Sequence, residues 1–203
     1  MKNTRKLKNA GVCLKQIRLG KIHAKDIGFP GLRNDGDGDL SRFIARWRLA
    51  ANFTSVEING FAAGALSGYA GIIKMVLAVN AAEQFARCQG IDVGHIVHLE
   101  STLKIEGHDI KWTQAMRRIF EMLETHLTGD SLRRRVSICL EKRSFDLWGF
   151  AFGVRHLFSH GILTAGANEA DPGAVGSICS KTANIILNST ELYFSSSVEK
   201  LQE

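Results

Sequence analysis

The chain has 203 residues, of which 45% are hydrophobic and 23% charged, and it carries a formal net charge of +6. This composition excludes a protein that is disordered throughout, and the length suits one domain with an extension. The longest apolar run, Ile72–Val79, is short of a membrane span and is interrupted by Lys74. No secretory signal is visible either. We therefore predict a cytoplasmic protein without a membrane partner.

The positive charge is concentrated at the start of the chain. Eight basic residues precede Asp26 and no acidic residue does, which leaves 18 basic against 20 acidic residues in the remainder, a net of −2. A basic tail attracts polyanions, nucleic acid first, although a solvated leader has the same composition. We predict a tail and loop over residues 1–38, with loop chemistry in Gly28–Gly38, and a helical domain over residues 39–203.

The body is predicted to be helical because the 141 residues between Pro30 and Pro172 contain no proline. A first helix is predicted from an N-cap at Ser41 to about Ala51. The next segment, Asn52–Gly60, is predicted to be a short strand or a loop.

A long helix is predicted over Phe61–Arg87. Apolar residues recur along it at helical spacing and predict its buried face, with Leu66, Tyr69, Ile73, Val76 and Leu77. Continuing this stripe leads to Asn80, Glu83 and Arg87. The stripe therefore ends either in a Glu83–Arg87 pair or at the wall of a polar cleft. Early glycines either weaken the helix or allow another helix to approach closely: Gly64, Gly68 and Gly71.

Further helices are predicted at Asp109–Leu127, Asp130–Arg143, Phe145–His160 and Val175–Leu201, with loops around Gly129, Gly161 and Gly166–Gly173. The core side of the first of these is predicted to contain Ile110, Thr113, Met116, Ile119, Phe120 and Leu123. The resulting fold class is all-α.

Several patterns indicate structure rather than chemistry. The run Asp35–Asp39 begins like a calcium loop, but its sixth and twelfth positions are Leu40 and Arg46, so we predict a turn. The histidine pairs His95/His98 and His156/His160 lack an evident third ligand, and we expect neither a metal nor a cofactor.

The basic clusters at residues 117–118, 133–135 and 142–143 are interpreted as solvated helical faces in preference to a phosphate track. The four cysteines are all at least forty residues apart, and we favour reduced, mostly buried thiols over two disulfides.

The segment 145–161 is the candidate functional site. Its helix is apolar on almost every side, and its last turn contains Arg155, His156, Ser159 and His160. An arginine cannot lose its charge on burial, so Arg155 must meet an anion, a buried acid or a wet cleft.

This segment resembles the R-x(4–6)-H motif of the HEPN superfamily. Four residues separate Arg155 from His160, a polar residue follows the arginine, and Gly161 follows the histidine. The order of predicted helices over residues 61–201 is similar as well, and the tail to residue 38 lies outside the resemblance. Two departures are His156, where asparagine or aspartate is commoner, and the absence of an E-x3-K-R element.

The resemblance implies a HEPN-like helical bundle that forms a homodimer and cleaves RNA without a metal. Such a nuclease would act as a toxin or defence effector, with an antitoxin protein as a partner. Arg155 and His160 would be the catalytic pair, and the supporting polar residues would be His156, Ser159, Glu83 and Asp146. Many HEPN domains are not nucleases, so a non-catalytic RNA-binding or dimerisation module is the alternative. A third interpretation is that His160 is a structural core histidine whose ring nitrogens form hydrogen bonds within the fold.

Helix geometry qualifies this assignment. Five residues turn through about 500°, so Arg155 and His160 lie roughly 140° apart around a straight helix, whereas His156 and His160 lie about 40° apart. Arg155 and His160 can therefore act at one site only if the helix ends near Ser159, or if a two-fold related partner supplies one of the two residues.

Overall fold

The computed structural model describes residues 36–91, 99–101, 103, 105 and 110–199, and over these residues the chain is helical without a strand. The predicted all-α class is confirmed. The basic tail before residue 36, Cys13 and the His95/His98 pair lie outside the described residues. The main helices are α1 Gly36–Asn52, α2 Ala63–Cys88, α3 Gln114–His126, α4 Asp130–Lys142, α5 Leu147–Ser159 and α6 Pro172–Glu199, with a short 3-10 helix at Ala167–Glu169.

The chain forms two compact units. Described residues of segments 1–51, 80–105 and 186–203 form the first unit, and those of segments 52–79 and 106–185 form the second. Helices α2 and α6 each contribute to both units. The candidate site on α5 belongs to the second unit.

Helix α1 begins earlier than the sequence predicted. It starts at Gly36, within the segment assigned to the tail and loop, so the prediction of Ser41 as the N-cap is wrong. Asp37 and Asp39 are helical, which also rules out the predicted turn and a calcium loop at those two residues. Buried residues then recur at helical spacing and anchor α1 in the first unit: Leu40, Phe43, Ile44, Trp47 and Ala50.

A polar network is buried in the first unit. The Gln84 side chain is 2% exposed. Its amide nitrogen donates to Asp39 Oδ1 at 3.0 Å, and its amide oxygen accepts from Arg46 Nη1 at 2.8 Å. Because both ends of the amide have partners, the desolvation of Gln84 is offset and α2 is joined to α1. This network was not predicted from the sequence.

The predicted bounds of α2 are confirmed within two residues, but the predicted buried face is wrong. All five residues of the stripe Leu66, Tyr69, Ile73, Val76 and Leu77 are only half-buried. The buried face contains Gly68, Gly71, Ile72, Met75, Ala78, Val79, Ala82 and Phe85. Apolar residues occur on both sides of α2, and the side with the small residues is buried because small residues allow neighbouring backbone to approach.

This close approach is seen at two glycines. A Cβ atom on Gly71 would overlap the backbone of Gly176 in α6, and a Cβ on Gly176 would overlap the carbonyl oxygen of Ser67. A Cβ on Gly68 would lie 2.8 Å from Ala165 Cβ, whereas Gly64 faces open space. The predicted role of early glycines in helix approach is confirmed for Gly68 and Gly71, and Gly64 does not share it.

Other sequence predictions agree with the structure more closely. Residues 53–60 form no strand, and Gly60 has a positive φ of 84° in a turn.

Helix α3 begins later than predicted because Thr113 is its N-cap, accepting from the Met116 amide at 3.2 Å. Four of its six predicted core residues are buried, namely Met116, Ile119, Phe120 and Leu123. The prediction is wrong for Thr113, which is exposed as the N-cap, and Ile110 is only half-buried. Cys88, Cys139 and Cys179 are buried free thiols, as predicted.

Candidate functional site

The start of α5 is fixed by Asp146. This residue is the N-cap, and its Oδ1 accepts from the Gly149 amide at 2.9 Å. The same carboxylate accepts two hydrogen bonds from Arg135 of α4, at 2.6 Å from Nε and 2.8 Å from Nη2. Each of the two side chains is 23% exposed. A bidentate arginine–carboxylate pair has a fixed geometry, so this pair sets the position of α5 relative to α4.

The body of α5 is buried, as its apolar sequence predicted. The buried residues are Leu147, Trp148, Gly149, Phe150, Ala151, Gly153, Val154 and Leu157. Phe150 packs against Phe120 of α3 with ring centroids 5.5 Å apart, and a Cβ on Gly153 would lie 3.1 Å from both Leu123 methyl carbons. Burial on most sides holds the helix firmly, and its exposed residues, Ser159 and His160, lie at its end.

The end of α5 is set by Gly161, as predicted. Gly161 has a φ of 70°. Its amide donates to the Phe158 carbonyl at 3.0 Å, and the Ile162 amide donates to the Leu157 carbonyl at 2.9 Å. These two bonds form a Schellman motif, which ends the helix at Ser159 with His160 as the C-cap. The first of the two conditions for the Arg155–His160 pair, a helix that ends near Ser159, is met.

The last turn of α5 brings two imidazole rings together. The centroids of the His156 and His160 rings lie 4.5 Å apart with an interplanar angle of 58°. His156 is half-buried, and Ser159 and His160 are exposed. This agrees with the prediction that these histidines share one face.

Arg155 lies in the same turn and is also half-buried. Its Cζ lies 5.6 Å from the centroid of the Phe152 ring, within the range of a cation–π contact. A guanidinium stays charged near neutral pH, so Arg155 brings a positive charge to the last turn of α5.

The environment of His156 favours its neutral form. Partial burial lowers the pKa of His156 below its ordinary value of 6.5, and the nearby charges of His160 and Arg155 lower this pKa further. A neutral imidazole is able to accept a proton at neutral pH, which is the property that a general base requires.

The two predicted acids lie elsewhere. Asp146 is bound to Arg135 at the start of α5, nine residues before Arg155, which is about 14 Å along a helix. Glu83 is half-buried on the part of α2 that belongs to the first unit. The structure therefore does not place Asp146 beside Arg155, and the compact group in the second unit consists of Arg155, His156 and His160.

The basic clusters are interleaved with acids. Arg117 pairs with Glu121 at 2.8 Å, and Arg118 donates to the carbonyl oxygen of Glu169. Arg133 and Arg134 are exposed on α4, where an open depression of about 470 Å³ is lined by Asp130, Arg133, Arg134, Ser137, Ile138 and Glu141. Mixed charge of this kind is typical of a solvated face. Among the described residues, no group of three or more His, Cys, Asp or Glu side chains could hold a metal ion.

Comparison of the chain with family models, with curated proteins and with solved structures gave no match. Function is therefore inferred from the site itself.

The Arg135–Asp146 pair was not predicted from the sequence. An aspartate directly before an apolar helix is a signal for an N-cap and could have been recognised. The arginine partner could not, because it lies on a different helix and the contact depends on packing. For the same reason the sequence did not predict the partial burial of His156.

Proposed function

We propose that this protein is a metal-independent endoribonuclease of the HEPN type. The observation that carries the proposal is the grouping of an arginine and two histidines in the last turn of α5, where this mostly buried helix reaches solvent at Ser159 and His160. The spacing of Arg155 and His160 in the sequence supports the same class.

The chemistry of these residues suits cleavage of a phosphodiester by the 2′-hydroxyl of RNA. That reaction requires proton transfer, for which an imidazole is suited near neutral pH. Negative charge increases on the phosphate during the reaction, and a guanidinium can stabilise it through paired hydrogen bonds. Arg155 is assigned to the phosphate and His160 to proton transfer, with Ser159 and His156 beside them.

A homodimer is part of the proposal. In HEPN ribonucleases the motifs of two domains meet in a shared cleft, so a second copy that faces the same phosphate would complete the site. RNA would then bind across two copies of the α5 terminus. Cellular roles as a toxin or defence effector belong to the same proposal. An antitoxin protein as a partner and a cytoplasmic location belong to it as well.

The test compares the wild-type protein with Arg155→Ala and His160→Ala on single-stranded RNA in the presence of EDTA. Each substitution is expected to reduce the cleavage rate at least about 100-fold, since each removes a group that acts in the transition state. Circular dichroism and urea unfolding check that the variants remain folded. Exposed residues of the same unit supply matched controls, Arg134→Ala for the arginine and His126→Ala for the histidine, and both are expected to cleave at the wild-type rate.

One observation favours a second candidate, a non-catalytic RNA-binding or dimerisation module. The apolar stripe Leu66, Tyr69, Ile73, Val76 and Leu77 is half-exposed, as an interface helix would be in a single copy. By length and composition alone α2 could also cross a membrane, but core helices of soluble proteins pass the same test. A dimer in light scattering that binds RNA and cleaves none would support the module.

A further inference from the structure

We infer that His156 and His160 of one chain act as the base and the acid of RNA cleavage, because their imidazole rings lie together at the open end of α5. This inference rests on the proposed nuclease function and makes His156 a second catalytic residue in place of a supporting polar one. It also places both proton transfers in a single copy of the protein, whichever copy supplies the arginine.

The geometry distinguishes this pair from the pair defined by the sequence motif. His156 and His160 are separated by one helical turn, and their ring centroids are 4.5 Å apart. Both rings are at least partly open to solvent, so both can reach one phosphodiester. Arg155 points about 100° away from His156 around the helix, which suits a residue that binds the phosphate from the side.

A pair of imidazoles this close binds a first proton more readily than a second. A second positive charge within this distance is unfavourable, and Arg155 adds a third positive group to the same turn. The charged and titratable groups that act on His156 are His160 and Arg155, both on α5. Partial burial and these two groups lower the pKa of His156, which suits His156 to act as the base, and we assign the other ring of the pair, His160, as the acid.

This assignment supplies the base and the acid that the reaction requires. A ring nitrogen of His156 takes the proton of the 2′-hydroxyl, and the 2′-oxygen forms a bond to phosphorus. The bond between phosphorus and the 5′-oxygen breaks, and protonated His160 gives its proton to that oxygen. The products are a 2′,3′-cyclic phosphate and a 5′-hydroxyl, and neither water nor a metal ion is consumed. The substrate class is therefore RNA with an intact 2′-hydroxyl at the cleaved position.

The decisive variant is His156→Asn, which keeps a polar, hydrogen-bonding residue at this position. A merely supporting role predicts nearly wild-type cleavage, whereas a general base predicts a loss of about 100-fold or more. The pH–rate profile of the wild-type protein is expected to be bell-shaped. His156→Asn should lose the acidic limb, and His160→Asn should lose the alkaline limb. His126→Asn, with circular dichroism and urea unfolding of every variant, controls for folding.

An RNA in which sulfur replaces the 5′-oxygen of the cleaved bond tests which histidine is the acid. A thiolate leaves without a proton, so this substrate is expected to restore cleavage by His160→Asn and not by His156→Asn. Restoration of His156→Asn instead would overturn its assignment as the base.

Two further outcomes separate this inference from the proposed function. If the wild-type protein and His156→Asn cleave RNA equally, with the same bell-shaped profile, the inference fails and the nuclease function stands. If the wild-type protein cleaves no RNA, both fail.

Discussion

Arg135 and Asp146 form a bidentate ion pair, and the Asp146 carboxylate in that pair also caps the helix that carries Arg155, His156 and His160. One side chain therefore orients α5 relative to α4 and starts the helix at the same time. Because the active groups lie at the far end of a helix held in this way, the stability of the site depends on a residue about 14 Å away from it along the helix.

Asp146→Ala is expected to destabilise the protein by about 2–3 kcal/mol. The cap contributes about 1 kcal/mol, and the substitution also leaves the half-buried Arg135 guanidinium without its partner. The free energy of unfolding in urea measures the effect.

Asp171→Ala is the matched control. Asp171 Oδ1 accepts from the Ala174 amide at 2.8 Å at the start of α6, and the residue is exposed. Its loss should cost about 1 kcal/mol, as expected for a cap alone. Equal destabilisation by the two substitutions would show that the ion pair with Arg135 contributes nothing.

Gly71→Ala is expected to destabilise the protein by about 3 kcal/mol or more. The added methyl group would overlap the backbone of Gly176, which cannot move aside as a flexible side chain can. Gly64→Ala on the same helix meets no atom within 4 Å and should stabilise α2 by about 0.5–1 kcal/mol. Urea unfolding of both variants measures the difference, and equal midpoints would contradict this packing.

The stability of the protein is expected to fall as the pH decreases through the range just below 6.5. The pKa of His156 is lowered in the folded state by burial and by His160 and Arg155, so the unfolded chain binds its proton first as the pH falls. Stability therefore rises with pH in this range and gains nothing more above it. Urea midpoints at several pH values should show a shallower slope for His156→Gln than for the wild type. The exposed His126→Gln variant serves as the control, and an unchanged slope in His156→Gln would contradict the lowered pKa.

Much of the helical framework could be predicted from local sequence. Helix α3 shows why, since Met116, Ile119, Phe120 and Leu123 recur at helical spacing and all four are buried. The end of α5 could be predicted as well, because Gly161 adopts a backbone conformation that glycine favours. These features depend on residues close together in the chain.

The buried face of α2 could not be predicted in the same way. Leu66 and Ile73 are large and apolar, yet the side with Gly68 and Gly71 is the one that packs most closely. Hydrophobic periodicity identifies apolar faces, but the choice between two of them depends on which face matches the shape of the neighbouring helix. The neighbouring helix is α6, whose residues come more than a hundred positions later in the chain.

The candidate site shows the same division. The contact between His156 and His160 follows from helical spacing alone. The half-burial of His156, which determines the direction of its pKa shift, depends on packing and had no signal in the sequence.

Chelating agents are expected to leave RNA cleavage unchanged. In the proposed mechanism His156 and His160 transfer the protons and Arg155 stabilises the phosphate, so no step requires a metal. The cleavage rate in excess EDTA, compared with the rate in untreated buffer, tests this. Loss of activity in EDTA, with recovery on addition of Zn²⁺, would instead indicate that the histidine pair binds a metal ion.

Removal of residues 1–25 is expected to reduce the salt dependence of RNA binding more than the rate of cleavage at saturating RNA. Eight basic residues and no acidic one lie in this segment, so it supplies charge for contacts with the phosphate backbone. The groups assigned to the chemistry lie at the end of α5, which the deletion leaves intact. The slope of the binding constant against salt concentration and the single-turnover rate at saturation measure the two effects separately. A large fall in the saturated rate with an unchanged salt slope would mean that the active surface includes the tail.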